Sequence, residues 1–261
     1  MRFLNKRVWI TGASSGIGEA LSYAMAAEGA KLILSGRNLK ELQRVKANCT
    51  GASAVELVPI DLGNHQQVFE TVKNIDGPVD ILINNAGISQ RSLLIETDFE
   101  VEKQMVDVNL LGTIAMTRAV LPRMLQQRSG QIVTVSSIMG KLGAPLRSAY
   151  AASKHGLHGY FDTLRAECYK DNIKVLLVCP GYVQTNISIN ALTAHGTSQG
   201  TMDEATANGL KPGEAAQKIL NAISSGQEEV IVAALRERFA VLLKRFAPGL
   251  LSKIIRKAKT V

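Results

Sequence analysis

At 261 residues, with 46% hydrophobic and 20% charged side chains, the chain has the size and composition of one α/β domain with a large core, and no apolar run approaches the roughly 18 residues of a membrane span. Three scattered cysteines, Cys49, Cys168 and Cys179, suggest neither a disulfide framework nor a zinc site, and point to a reducing, cytoplasmic compartment. The formal charge of +8 is concentrated from Arg236 onward, where eight basic side chains meet the single acid Glu237; a nucleic-acid surface would spread over a domain face, so that class is disfavoured.

The N-terminus, MRFLNKRVWITGA, enters a strand at Arg7–Ile10 almost at once, which predicts neither a signal peptide nor an N-terminal anchor. The loop TGASSGIG, residues 11–18, comes next. Helical periodicity then covers Glu19–Glu28, Gly29 closes it, and KLILS at 31–35 reads as the second strand. This order is the first half of a doubly wound parallel sheet. Gly12 permits the tight turn, Gly16 lets the backbone approach a pyrophosphate, and Gly18 lets the helix pack close to the strand. Ser14, Ser15 and Ile17 complete a loop whose following helix offers free N–H groups to phosphates.

An acid ending the second strand would bond the ribose 2′-OH of NAD; this sequence has Ser35-Gly36-Arg37-Asn38 there. Arg37 suits a 2′-phosphate, with Ser14 or Ser15 adding a hydroxyl, so NADP(H) is expected. A strand over 54–59 leads to Asp61 and Leu62 at the carboxyl edge, beside the adenine position. A strand over 80–83 ends in Asn84-Asn85-Ala86-Gly87, where small residues let the chain pass close to a ligand. Asn109 sits in a long helical stretch, VDVNLLGTIAMTRAV. It reads either as a polar surface position or as a buried amide that orders a water near a lysine.

The apolar run QIVTV precedes SSIMGKLGAPLRSAYAASK, residues 136–154, and places the Ser137 hydroxyl at a strand end. Tyr150 and Lys154 stand at i and i+4, neighbours on one helix face. A nearby ammonium favours phenolate and lowers a tyrosine pKa toward the working pH, which suits proton exchange with a substrate oxygen. A strand over 174–179 leads into Pro180-Gly181-Tyr182-Val183-Gln184-Thr185. Residues 186–211 are polar and weakly periodic, and read as a substrate loop that orders when the site fills. His195 within it reads as a surface residue. Ile88, Met139, Leu142, Leu146, Tyr182 and Ile187 are candidate pocket walls, which suggests a lipophilic carbonyl substrate.

Past a strand at 229–233 the pattern turns helical, dividing a catalytic unit at 1–235 from a basic amphipathic tail at 236–261. Phe239, Leu242, Leu243 and Phe246 share one face, as do Leu250, Leu251, Ile254 and Ile255, with cations opposite. Such a tail either lies on an anionic membrane, through 250–259, or packs over the substrate pocket or another subunit.

TGASSGIG, NNAG, Asn109, Ser137, Tyr-Ala-Ala-Ser-Lys and Pro180-Gly181 together resemble the short-chain dehydrogenase/reductase family over residues 6–235. VWITGASSG, AKLILSGRN, RSAYAASKHG, LRAE, PGYVQTN and APGL resemble its member 7 and 7B branch more closely. That branch carries an N-terminal membrane anchor for which no counterpart is expected here. The resemblance implies a seven-stranded Rossmann-like sheet and a catalytic set of Asn109, Ser137, Tyr150 and Lys154. Within that set Ser137 holds the carbonyl oxygen and Tyr150 delivers the proton. Lys154 binds the nicotinamide ribose and lowers the tyrosine pKa, and Asn109 holds a relay water. The cofactor is implied to touch Gly12 to Gly18, Arg37, Asp61, Leu62, Asn85, Ala86, Gly87, Tyr150, Lys154, Pro180, Gly181, Val183 and Thr185, with Thr185 on the carboxamide. The implied partners are a small carbonyl or alcohol substrate and a second copy of the chain, in a homodimer or homotetramer built through 99–128 and 150–170. The alternative is a nucleotide-binding sensor or membrane-surface adaptor without turnover.

Overall fold

A computed structural model describes residues 1–257. Seven strands, β1 (Arg7–Thr11), β2 (Lys31–Ser35), β3 (Ala54–Leu57), β4 (Ile81–Asn84), β5 (Gly130–Val135), β6 (Ile173–Pro180) and β7 (Glu229–Val232), form one parallel sheet in the order β3-β2-β1-β4-β5-β6-β7. The second strand falls where expected and the ends of the others differ by at most two residues, because strands finish where ladder pairing stops and not where apolar composition does.

Alternation along each strand divides the interior. Val8 and Ile10 of β1, Leu32 and Leu34 of β2, Ile81 and Ile83 of β4, and Leu176 and Val178 of β6 join one apolar cluster. Trp9, Ile33, Leu82, Val175 and Leu177 join a second on the opposite face. Both faces are covered, as an all-parallel sheet requires. α1 (Gly16–Ala27) contributes Leu21 and Met25 to the first cluster, and α2 (Leu39–Asn48) contributes Leu42 and Val45. On the other face α3 (His65–Lys73) adds Val68 and Val72.

The stretch expected as one long helix is helical throughout, and it runs from α4 (Phe99–Val106) through a turn of π-helix at Asp107–Leu111 into α5 (Gly112–Gln127). Asn109 sits inside the widened turn and is fully buried, which excludes the surface reading. A π-turn is a common device at functional sites because it re-aims one side chain without ending the helix. α6 (Ser148–Glu167) buries Leu157, Phe161 and Leu164 in the second cluster.

Residues 186–211 hold regular contacts. Leu192 bridges Gln90, Val183 bridges Leu210, and a short helix, α7 (Glu204–Ala207), precedes α8 (Pro212–Ser224), which packs on the first cluster through Ile219, Leu220 and Ile223. Backbone bonds from the Arg91 amide to the Leu192 carbonyl and from the Leu192 amide to the Ser89 carbonyl are each 2.8 Å. The sequence hides this because much of the pairing is to a distant segment, although Leu192 also bridges Ser198 within the stretch itself.

The tail forms α9 (Leu235–Phe246) and α10 (Pro248–Ile255). Its apolar residues divide between two directions. Leu251 is buried, and Ala240, Val241, Leu243 and Ile255 pack with it on a third cluster that contains Met105, Ile138, Met139, Leu142 and Tyr150. Leu235, Phe239, Leu242, Phe246, Leu250 and Ile254 remain exposed. Lys259, counted in the basic tail, lies outside the described residues. Among the described residues no helix is long and apolar enough to cross a membrane.

Candidate active site

A cleft of about 1360 Å³ opens along the carboxyl ends of β1, β4, β5 and β6, with its walls running from Gly12 to Asn190. That is above the roughly 300–1,000 Å³ of a drug-sized pocket, and leaves room for a dinucleotide and a substrate together. It lies where the strand order reverses between β1 and β4, the switch point of a doubly wound sheet.

The glycine loop forms one wall. Gly12 and Gly16 have φ of 65° and 59°, a region closed to most side chains. A methyl group on Gly12 would lie 2.7 Å from the Ala86 Cα, and one on Gly16 would lie 2.9 Å from the Thr185 Cγ2. On Gly18 it would collide with the Gly12 carbonyl oxygen. Ser15, the N-cap of α1, makes no side-chain cap bond, so the first turn of the helix presents its N–H groups uncapped by a side chain. This cradle fits a pyrophosphate. Asn85 ties it to β4: its Nδ2 donates to the carbonyls of Thr11 and Gly12 at 3.1 and 3.2 Å, while the Thr11 hydroxyl accepts from the amides of Asn85 and Ala86.

Arg37 lies at the far end, exposed, lining the cleft and making no hydrogen bond or ion pair among the described residues. A second arginine, which sequence reasoning missed, lines the same end. Arg44 donates to Glu19 and Glu41, each at 2.7 Å, and its charge is matched by those acids. Nothing in α2 marks it, since an arginine three residues after a glutamate reads as a surface helix pair. Asp61, also lining this end, accepts from the Gly63 amide at 2.9 Å, and Leu62 is buried beside it.

The four catalytic candidates meet around the other end. Ser137, at the end of β5, accepts from the Met139 amide at 3.1 Å and donates to the Pro180 carbonyl at 3.5 Å. Lys154 is buried and donates to the Val135 carbonyl at 2.9 Å, with its Nζ 5.9 Å from the centre of the Tyr150 ring. Ser137, Tyr150, Lys154, Pro180, Gly181, Val183 and Thr185 all line the cleft. Asn109 stands behind them. Its Oδ1 accepts from the Ile88 amide at 2.8 Å, and its Nδ2 donates to the Ile88 carbonyl at 3.0 Å and to Ser153 at 3.2 Å. The amide therefore clamps the chain that follows Gly87, where a methyl group would lie 3.0 Å from Asn109 Oδ1 and 3.5 Å from Lys154 Nζ.

The i, i+4 argument needs correction. Burial raises the Tyr150 pKa above its ordinary value, and the Ser137 hydrogen bond and the charges of Arg91 and Arg147 oppose this only in part. Lys154 is not among the lowering groups, and burial pushes its own pKa down to about 8. For a lysine whose folded pKa lies below its unfolded value near 10.5, the unfolded chain binds more protons between those limits, so stability rises with pH across them. We expect folding stability to gain up to about 3 kcal/mol from this group between pH 8 and 10.5. Urea denaturation at the two ends of that window checks this, and the Lys154→Met variant must lack that part of the slope.

The pocket-wall expectation holds for Ile88 and Ile187, which line the cleft with Leu192. Met139 and Leu142 belong to the third core cluster, and Leu146 and Tyr182 are absent from the cleft walls. Strand-end position alone does not distinguish a wall from the core behind it. His195 is an exposed residue 3.1 Å from Asp98, as expected.

Three further features escaped sequence reasoning. Gln90, fully buried, donates to Ser92, Thr97 and Ser148 and accepts from the Ala149 amide, fixing the start of the helix that carries Tyr150. Asp203, within the 186–211 segment, takes Arg91 at 2.6 Å and Arg147 at 3.4 Å, all three side chains being nearly inaccessible. Burial alone would raise the Asp203 carboxyl, but Arg91, Gln199 and Arg147 hold it below the usual range. Glu237, in the first turn of α9, accepts from the amides of Tyr182 and Ala234 and so holds the turn after β6.

A family model described as short chain dehydrogenase matches residues 6–195. The dehydrogenase/reductase SDR family protein 7-like of Anopheles gambiae is 42% identical over 98% of this chain and 84% of its own. The mouse (Mus musculus) dehydrogenase/reductase SDR family member 7B is 39% identical over 96% of this chain and 80% of its own. Among solved structures, a Burkholderia phymatum short chain dehydrogenase/reductase in complex with NAD superposes with a TM-score of 0.84 at 26% identity, over 96% of each chain.

Proposed function

The chain belongs to the short-chain dehydrogenase/reductase family, and from that premise we propose that it is an NADP(H)-dependent oxidoreductase interconverting a carbonyl with a primary or secondary alcohol on a lipophilic substrate. The observation that carries this reading is the convergence of Ser137, Tyr150 and Lys154 on the cleft that begins at the glycine cradle, with Asn109 behind them. Gly12 to Gly18 would hold the pyrophosphate, and Pro180 to Thr185 the nicotinamide end. The bound nicotinamide supplies or receives the hydride. The protein's own residues do the rest. Ser137 donates its hydroxyl hydrogen to the substrate oxygen and stabilises charge there. Tyr150, a neutral phenol at pH 7, passes its proton to the same oxygen in reduction. The Lys154 ammonium, one helical turn away, orients the nicotinamide ribose. Ile88, Ile187 and Leu192 offer an apolar wall to the substrate.

The test is NADPH oxidation against a panel of aldehydes, ketones and ketolipids. Turnover on lipophilic ketones supports the reading. NADPH binding without turnover anywhere on the panel would favour a sensor.

NADP(H) over NAD(H) rests on Arg37, because Arg44 is already matched by Glu19 and Glu41. A charge-assisted hydrogen bond contributes about 1.5–3 kcal/mol, so Arg37→Asp is expected to weaken NADPH by about 10- to 100-fold and turn preference toward NADH. Fluorescence titration with both nucleotides decides it, and an unchanged NADPH preference rejects Arg37 as the reader.

We place the protein in the cytoplasm as a homodimer or homotetramer through α4, α5 and α6. It also has a surface for peripheral contact with anionic membrane. Leu235, Phe239, Leu242, Phe246, Leu250 and Ile254 stay exposed, with Arg238, Arg245 and Lys253 among them. Phe246→Asp combined with Leu250→Asp should abolish co-sedimentation with anionic vesicles and leave turnover intact; unchanged co-sedimentation removes the membrane contact.

A further inference from the structure

Behind the catalytic residues, where β6 and β7 run side by side, three side chains from distant parts of the chain converge. His158 lies one turn after Lys154 on α6, Cys179 immediately precedes Pro180 on β6, and Glu229 is the first residue of β7. One donor atom from each lies within 4.8 Å of the other two. The His158 Nε2 is 3.7 Å from the Cys179 sulfur, and its Nδ1 is 3.9 Å from the Glu229 Oε2. His158 is nine-tenths buried, and its enclosed Nδ1 has no hydrogen-bond partner among the described residues. The orphaned Nδ1 is on the side of the Glu229 carboxylate, and the other ring nitrogen, Nε2, is on the side of the Cys179 thiol.

We propose that His158, Cys179 and Glu229 form a binding site for a thiophilic divalent metal ion of the zinc and cadmium class. Nitrogen, sulfur and oxygen donors of this kind are the set such ions take, with a water in the fourth position. An ion takes one nitrogen of the imidazole, and tetrahedral coordination at about 2.0–2.3 Å spaces the donors about 3.3–3.7 Å apart, a spacing that the 3.7 Å between His158 Nε2 and the Cys179 sulfur already meets. The widest gap closes by swinging Glu229, the one exposed member, which also opens the path for entry.

A competitor holds Glu229 already: the Lys141 ammonium is 2.5 Å from its Oε2. Metal binding returns Lys141 to solvent and breaks the Cys179 S–H bond, releasing that proton to bulk water. The neutral His158 ring lends a lone pair. A doubly charged ion then meets two anionic ligands, and the site is neutral both before and after.

Occupancy reaches the catalytic residues through covalent neighbours. Cys179 adjoins Pro180, whose carbonyl accepts from Ser137, and His158 shares α6 with Tyr150 and Lys154. Drawing β6, β7 and α6 together displaces both, so the bound ion slows turnover. That consequence rests on the oxidoreductase reading, whereas the binding does not.

The test titrates the full-length protein with Cd²⁺ in a thiol-free buffer and follows thiolate-to-cadmium absorption in the ultraviolet. The expected result is one equivalent bound with one thiolate signal, and the signal is lost in Cys179→Ser. Glu229→Gln should weaken the affinity at least about tenfold, and Lys141→Ala should tighten it. No absorption band at millimolar Cd²⁺, or a band that survives Cys179→Ser, overturns the proposal. An unaltered affinity in Glu229→Gln overturns it equally, and that change is on the surface and leaves the core intact. Slowed turnover in wild type but not in Cys179→Ser supports the inhibitory role; equal slowing in both rejects it.

Discussion

Replacing Tyr150 with phenylalanine is expected to lower kcat by about 10²- to 10⁴-fold while changing cofactor affinity by less than about threefold. The phenol oxygen is the atom being removed, and the ring stays to fill its place in the third core cluster, where Tyr150 is 8% exposed. Neither neighbour takes its place: Lys154 bonds the Val135 carbonyl, and the Asn109 amide, which does not titrate, is committed to Ile88 and Ser153. The direction of the tyrosine shift sets the pH dependence. Its pKa lies above the ordinary value near 10, so the proton needed for carbonyl reduction is held through neutral pH and lost only as pH rises through the shifted value. Alcohol oxidation needs the phenolate and should accelerate over the same rise. Steady-state rates in both directions, with a cofactor titration of the variant, check this. A variant that keeps more than a few per cent of the wild-type rate removes Tyr150 from the mechanism.

Asp203→Asn should cost about 3–5 kcal/mol of folding stability, the usual result of removing one partner from a buried ion pair. Asparagine fills the same volume, so the loss is electrostatic. Arg91 and Arg147 would then face each other without the carboxylate that takes both, at side-chain exposures of 7% and 5%. Because Asp203 also accepts from Gln199 and belongs to the loop it anchors, local opening should come first. Urea denaturation gives the global loss, and amide exchange should show residues 186–210 losing protection ahead of the sheet. Protection unchanged there would mean that the Leu192 bridge to Gln90 holds the loop alone.

The two results depend on different kinds of information. Tyr150 and Lys154 are four positions apart, as the loop glycines are close to one another, and a helix or turn converts such short distances directly into proximity. Asp203 meets Arg91 across 112 positions, and no local rule connects them. The same division runs through the fold. Alternation in RVWIT, KLILS and ILIN assigns each strand its two faces, whereas Met139 and Leu142, which look like pocket wall from their place after a strand, are packed into the core.

Local sequence by itself determined the doubly wound sheet, the cradle at Gly12, Gly16 and Gly18, and the pairing of Tyr150 with Lys154. The cradle and the Tyr150–Lys154 pairing follow from backbone geometry over fewer than about twenty residues, and the sheet from the repeated strand–helix alternation, whose parallel crossovers have one favoured hand. Tertiary structure alone decided the direction of the Tyr150 shift, the burial of Asn109, the anchoring of residues 186–211, the two-sided tail, and the meeting of His158, Cys179 and Glu229. Those depend on desolvation and on contacts between residues far apart in the chain. Electrostatics and burial are set by what surrounds a group in space, which the order of residues specifies only after the whole chain has packed.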